Sequence, residues 1–314
     1  MTSSMAPRTR LFAALLRLSE KGIEDIADLP AYRAKRARLQ RSLLGGAVFG
    51  RADRHALVDE ITIGAGTRAV VHRPPGVTGP LPCVLNFHGG GWVQGNPEQS
   101  AWMASRIALR CNAVVVSPTY PLAPERPFPA AVESCWGTLT WLVEHAEDLG
   151  ISSQRVAVMG DSAGGNLAAV LALLARDAGG PALRAQVLIY PGTEMYDRWP
   201  SEDRHADAPV LTSANMRAFG RLYMGERYGD EDFRASPIRA ASHADLPKTF
   251  ILTAELDPLL DNGTHYRDAL VADGVPVRYA EYPGAIHGFM SLPGVVPVAA
   301  RALEDIVDFL RLTL

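Results

Sequence analysis

The chain reads as an α/β protein, a mostly parallel β-sheet with helices on both faces, and two patterns in its 314 residues predict this. Short apolar runs recur eight times, at 57–63, 68–73, 83–87, 113–116, 156–159, 187–190, 250–253 and 277–282. Most gaps between the later runs carry an amphipathic stretch of helical length, among them 102–110, 130–147 and 166–176. These later runs are apolar at consecutive positions rather than alternate ones. Both faces of each strand are therefore covered, as happens when helices cross over between parallel neighbours. With 47% hydrophobic residues a chain of this length can bury one large core, and residues 1–314 are expected to form a single domain.

Residues 1–45 are rich in Arg, Leu and Ala and predict two or three short helices, broken near Leu29-Pro30 and stopped at Gly45-Gly46. Leu11, Leu15 and Leu18 fall at i, i+4 and i+7, the spacing of an amphipathic helix. The same letters faintly imitate a signal peptide, but Arg17 ends the apolar stretch after residue 16 and no clear small-x-small cleavage site accompanies it. From Leu57 the period changes, and 57–63 and 68–73, joined by Gly64-Ala65-Gly66, predict a hairpin. The stretch 192–247 has no clear strand and holds Met195, Tyr196, Trp199, Phe219, Tyr223, Met224 and Tyr228. An insertion of this length inside a compact sheet is usually functional, and its aromatic and Met content suits the wall of an apolar pocket. The competing reading is a packed helix pair without ligand contact.

A formal net charge of −3 with 21% charged residues argues against a field that would hold a polyanion or an anionic membrane, and nucleic acid is not an expected partner. No apolar run reaches the ~18 residues that cross a bilayer, so no membrane span is expected. Cys83, Cys111 and Cys135 form an odd set without a CxxC spacing and read as small core residues in a reducing compartment. The expected location is cytoplasmic.

Gly160-Asp161-Ser162-Ala163-Gly164-Gly165 follows one apolar run and opens a helical stretch, the strand-turn-helix context of a G-x-S-x-G nucleophile elbow. The turn needs small neighbours because the serine takes strained backbone angles while strand and helix pass close together. The Ser162 hydroxyl would then sit at a helix N-terminus, where free N–H groups favour developing negative charge. The pentapeptide alone is only suggestive; a second motif decides. His88-Gly89-Gly90-Gly91-Trp92 follows the run at 83–87, and its glycines leave backbone N–H groups free to turn toward an anionic oxygen. Gly90, Gly91 and the N–H of Ala163 are the expected donors, with His88 and Gly89 as the supporting part of the motif.

An elbow of this kind takes its acid and base downstream in the order Ser, Asp or Glu, His. Of eight histidines, His287 lies in a glycine-flanked loop after the last strand-like run and is the expected base. Glu255, Asp257 and Asp261 crowd the preceding strand end; Asp257, a short side chain before Pro258, is favoured, whereas Asp261 reads as a residue at a helix start. The carboxylate would fix the tautomer of His287 and stabilise its protonated form. No metal or other cofactor is called for.

With these residues on the page, the chain resembles the hormone-sensitive-lipase-like family of esterases, an α/β-hydrolase fold. The resemblance runs from about Leu57 onward through His88-Gly89-Gly90-Gly91, Tyr120-Pro121-Leu122-Ala123-Pro124-Glu125, Gly160-Asp161-Ser162-Ala163-Gly164-Gly165, Asp257-Pro258-Leu259 and His287-Gly288-Phe289, in family order. It implies an eight-stranded, mostly parallel sheet and a helical cap formed by about 1–45 and 192–235. It also implies small-molecule ester substrates with short to medium acyl chains, no cofactor, and a homodimer as the assembly to look for. Pro121 departs from the pattern, which usually has Arg between the Tyr and the Leu, and that places the local loop in question. Two other functions use the same letters: an amidase or deacylase of the arylformamidase kind, and a non-catalytic small-molecule receptor with the cap as its lid.

Overall fold

The computed structural model describes residues 5–17, 22–77 and 79–314. Leu18, the third member of the predicted apolar stripe, lies outside them. Eight strands form one sheet: β1 (Leu57–Ile63), β2 (Thr67–Arg73), β3 (Leu81–Phe87), β4 (Val114–Pro118), β5 (Ile151–Asp161), β6 (Leu183–Ile189), β7 (Lys248–Leu256) and β8 (Val277–Ile286). Their spatial order is β1-β2-β4-β3-β5-β6-β7-β8. β1 and β2 form the antiparallel hairpin, β2 runs antiparallel to β4, and every pair from β4 to β8 is parallel. This is the eight-stranded, mostly parallel sheet of the α/β-hydrolase fold.

The helices are α1 (Pro7–Arg17), α2 (Leu29–Arg41), α3 (Leu43–Phe49), α4 (Ala101–Cys111), α5 (Ala130–Glu144), α6 (Ala163–Asp177), α7 (Pro200–Arg204), α8 (Ser213–Met224), α9 (Leu260–Ala272) and α10 (Val298–Thr313). Side chains alternate along each strand, so one strand feeds two cores. Cys83, Leu85 and Phe87 of β3 join the layer under α5, α6 and α9, whereas Val84 joins the layer under α4 and α10. Burial pushes the Cys83 thiol up to about 12 and the half-buried Cys111 thiol up to about 11, which keeps both in the unreactive thiol form. No helix among the described residues is long and apolar enough to cross a membrane.

The amino-terminal segment differs from expectation in two places. The chain does not stop being helical at Gly45-Gly46, because α3 runs through both glycines. The break comes earlier, at Ser42, whose hydroxyl oxygen accepts the Gly45 N–H at 3.0 Å and starts a new helix. Gly45 is required by proximity: a Cβ there would sit 2.1 Å from the carbonyl oxygen of Leu39 at the end of α2. Likewise Leu29-Pro30 opens α2 rather than breaking a helix, with Asp28 accepting the Ala31 N–H at 2.9 Å and proline in the first turn. In α1, Leu11 (65% exposed) and Leu15 (57%) face outward while Thr9 and Ala13 face in. The Thr9 hydroxyl donates to the Val295 carbonyl at 2.7 Å, and this polar tether holds the inner face.

Arg33 joins α2 to the rest of the molecule. It donates Nε to the Val93 carbonyl and Nη2 to the Ala123 carbonyl, both at 2.6 Å, and forms a fork with Glu125 at 2.9 Å. The guanidinium thus spans the segment after the His88-Gly89-Gly90-Gly91 turn and the loop that contains Pro121. Removing it leaves carbonyls without a donor, a loss of about 1–3 kcal/mol. Arg33→Ala is expected to lower Tm by roughly 3–8 °C, with Arg33→Lys recovering only part because an ammonium cannot reproduce the fork. Scanning fluorimetry of the two variants checks this, and an unchanged Tm in Arg33→Ala would refute the clamp.

Candidate active site

β5 ends at Asp161 and α6 begins at Ala163, so Ser162 makes the whole turn, with φ 55° and ψ −116°. That conformation is costly for a side-chain-bearing residue and persists only where packing fixes it. Here the packing is severe. A Cβ on Gly164 would lie 2.0 Å from the Phe87 carbonyl oxygen, and one on Gly160 would lie 2.2 Å from the Gly164 carbonyl oxygen. The Ser162 N–H donates to the Ile189 carbonyl at 2.8 Å, which pins the turn between β3 and β6.

Ser162 Oγ lies 2.9 Å from His287 Nε2, and His287 Nδ1 lies 2.7 Å from Asp257 Oδ2. Asp257 is wholly buried and His287 almost so. A carboxylate at Asp257 can only accept, which places the proton on Nδ1 and leaves Nε2 to accept from the serine hydroxyl. The other oxygen of Asp257 accepts the Leu259 N–H at 2.8 Å, so the carboxylate is held from two sides. Its two sequence rivals are engaged elsewhere. Asp261 accepts the Ser201 N–H at 2.8 Å and anchors α7, and Glu255 accepts the Gly284 N–H at 2.6 Å at the end of β8. His265, the nearest competing imidazole in sequence, stacks under Trp199 at 4.0 Å.

Gly90 and Gly91, at φ 124° and 61°, share a cavity wall with Ser162 and Ala163. Gly89 is different: its N–H donates to Asp161 Oδ1 at 2.9 Å, tying the glycine turn to the elbow. His88 is buried, its ring stacked 4.2 Å from Tyr120 and its carbonyl accepting the Tyr120 hydroxyl at 2.7 Å. Burial lowers the His88 pKa to about 4, so the ring is a neutral brace. From outside, the ring of Phe219 lies against Gly91, where a Cβ would come within 2.3 Å of it, and Tyr223 stacks on Trp92 at 4.4 Å. These contacts of α8, and Tyr190 edge-on to His287 at 5.0 Å, were not read from the sequence. They join segments far apart in the chain, and no local pattern marks them.

The cavity over Ser162 measures about 360 Å³. Arg36 and Gln40 of α2, Phe49 of α3, and Met195, Met216 and Phe219 of the 192–235 stretch help to line it. The aromatic and Met content of that stretch divides in two: Met195, Tyr196, Phe219 and Tyr228 reach the cavity, whereas Trp199 packs on His265 and Tyr223 on Trp92. Among the described residues no cluster of three His, Cys, Asp or Glu is placed to hold a metal ion.

Asp161 is a carboxyl with few compensations. Burial raises its pKa to about 6, against the lowering effects of the Gly89 N–H and His287. A folded pKa above the unfolded value of about 3.9 means that this group favours the fold when protonated, and that the contribution is lost as pH rises through about 6. Asp161→Asn keeps an acceptor for Gly89 and removes the buried charge. Its Tm relative to the parent should therefore climb between about pH 4 and pH 7. Parallel Tm profiles across that window would show that Asp161 does not titrate there.

Comparison with known proteins agrees with this architecture. The alpha/beta hydrolase fold family model matches residues 84–291. Esterase LipI of Mycobacterium tuberculosis is 42% identical over 234 residues, covering 74% of this chain and 73% of its own. The ethyl acetate hydrolase of Pseudomonas putida is 33% identical over 308 residues, covering 95% and 97%. The solved structure of a thermostable Pseudomonas putida esterase superposes with a TM-score of 0.91 at 33% identity, covering 100% of this chain and 99% of that one. The chain belongs to the alpha/beta-hydrolase family, in the esterase group of serine hydrolases that these relatives represent.

Proposed function

We propose that the protein hydrolyses carboxylic esters of short to medium acyl chain through an acyl-enzyme intermediate, with Ser162 as nucleophile, His287 as general base and acid, and Asp257 as the group that orients and stabilises the imidazole. The observation that carries this reading is the hydrogen-bonded relay of 2.9 and 2.7 Å at the floor of the cavity. Ser162 Oγ attacks the ester carbonyl carbon as its proton passes to His287 Nε2. The carbonyl oxygen becomes an oxyanion and takes N–H bonds from Gly90, Gly91 and Ala163, each such donor worth about 3 kcal/mol in the transition state. When the C–O bond to the alcohol breaks, His287 returns the proton to the departing oxygen. Water then repeats the sequence on the acyl-serine and frees the acid.

In this reading the chain is one domain, and residues 1–45 and 192–235 form the cap, because α2, α3 and α8 contribute cavity wall around Ser162. Relatives named as esterases and as an ethyl acetate hydrolase support ester substrates over the amide-cleaving and receptor alternatives.

Ser162→Ala should reduce ester turnover at least about 10⁴-fold and abolish labelling by a fluorophosphonate while the fold stays intact. Covalent label recovered on any other residue overturns the assignment. Asp257→Asn should lower kcat by roughly 10³–10⁴-fold through the wrong hydrogen-bond partner for Nδ1, whereas Asp261→Asn, which only loosens the start of α7, should stay within about tenfold of the parent. Equal losses would return the acid role to Asp261. For acyl length, each methylene adds about 0.8 kcal/mol only while apolar wall remains to cover it. With about 360 Å³ available, kcat/KM across a p-nitrophenyl ester series should peak between C2 and C8; a maximum at C16 would disprove the closed pocket.

A further inference from the structure

The net charge of −3 averages over a pronounced asymmetry. Between residues 29 and 52 stand Arg33, Lys35, Arg36, Arg38, Arg41 and Arg51 with no Asp or Glu, which leaves −9 on the rest of the chain; Arg33 and Arg41 are paired with Glu125 and Glu98, and Lys35, Arg36, Arg38 and Arg51 carry the remaining charge of the segment. The amino-terminal helices also carry exposed apolar side chains: Leu11 and Leu15 on α1, Leu39 on α2, and Leu43 (81% exposed) and Leu44 (69%) on α3. Single exposed leucines need no explanation, but five on adjoining helices do. α1 and α3 flank one loop, since Thr9 donates to Val295 and the Gly294 N–H donates to the Val48 carbonyl at 3.0 Å.

A groove opens on this side, away from Ser162, lined by Arg8, Arg51, Arg54 and Arg106 with Trp102, and by Asp53 as its carboxylate. Asp53 is engaged with His55, accepting its backbone N–H at 3.1 Å and meeting its ring nitrogen at 2.9 Å. Arg106 sits over the Trp102 ring at 5.1 Å and donates to the Arg51 carbonyl at 3.1 Å. Arg8, Leu11 and Leu15 fall at i, i+3 and i+7, so one face of α1 runs from the groove into the leucines. Lys35 and Leu39 repeat the pairing on α2 at i and i+4.

We propose that this face docks on an anionic phospholipid surface, with phosphate headgroups in the arginine groove and the leucines of α1 and α3 in the acyl boundary. Apolar residues interleaved with Arg and Lys are what an interfacial helix needs: the leucines supply buried area, the cations supply attraction to the headgroups, and long basic stems lie along the apolar surface while their heads stay wet. A second copy of the chain fits less well. A two-fold contact would bring a face that carries Arg8, Lys35, Arg38 and Arg54 against an identical basic face, with Asp53, already engaged by His55, as the carboxylate of the groove. Arg36 and Gln40 of α2 and Phe49 of α3 line the cavity over Ser162, so the helices that dock also wall that cavity. The proposal is independent of the triad assignment.

Sedimentation with vesicles tests it in the full chain. Bound fraction should be at least tenfold higher on phosphatidylcholine vesicles containing phosphatidylglycerol than on phosphatidylcholine alone, and high salt should remove the difference. Arg8→Glu with Arg54→Glu should cut the binding tenfold or more, and Leu43→Ser with Leu44→Ser should cut it comparably. All four positions are surface positions outside the cavity over Ser162, so hydrolysis of a soluble p-nitrophenyl ester should remain within twofold of the parent. Equal binding to both vesicle types, or none, overturns the proposal. So does a concentration-dependent dimer that Leu43→Ser and Leu44→Ser dissociate without changing vesicle binding, since the leucines would then belong to a contact between copies.

Discussion

The turn at Ser162 is the constraint from which the rest of the site follows. A serine at φ 55° can exist there only if α6 descends close enough to β3 to hold it, and that approach leaves room for nothing larger than glycine at 164. The closeness has a second effect. It brings the end of β5 against the end of β3, where the His88-Gly89-Gly90-Gly91 turn begins, so Ser162 and the glycine turn are placed by a single packing contact. Asp161 then links the two turns through the Gly89 N–H. The raised pKa of that carboxyl is the electrostatic cost of burying the link.

The glycine turn is also where the two cap segments converge. Phe219 and Tyr223 of α8 press on Gly91 and Trp92, and Arg33 of α2 takes the Val93 carbonyl just beyond them. A loop with three consecutive glycines has much conformational freedom to lose. Contacts from both sides reduce that freedom before any substrate arrives, which is what donors must have if they are to stabilise charge without reorganising. In this structure α2 and α8 therefore both wall the cavity over Ser162 and brace the glycine turn.

Legibility followed the range of the interaction. The strands were readable because burial on both faces writes itself into consecutive residues, and the elbow was readable because its glycines and serine act within five positions. The boundary at Ser42 was not, since glycine pairs usually end helices and here one of them is demanded by the carbonyl of Leu39. The direction of the stripe on α1 was not legible either, because periodicity reports that a helix has an apolar face without saying which way it turns; Thr9, a polar residue, holds the inner side. Glu255, Asp257 and Asp261 are indistinguishable by composition. What separates them is the partner each one meets, all three of those partners lying in distant segments.

Pro121 shows how such distant partners can substitute for a local one. In the family resemblance this position usually carries Arg, so the loop 120–125 would contain its own guanidinium. Proline cannot supply that, nor can it donate a backbone N–H. In this chain the guanidinium in contact with the loop belongs to Arg33, which binds Glu125 and the Ala123 carbonyl and continues to Val93. The consequence is a change in connectivity rather than in chemistry. A group held within the loop would brace it whatever the amino-terminal helices did, whereas a group held on α2 makes the loop, the glycine turn and the cap a single mechanical unit. Displacement of α2 would then be felt at the glycine turn through one side chain, a coupling that no reading of the local motif contains.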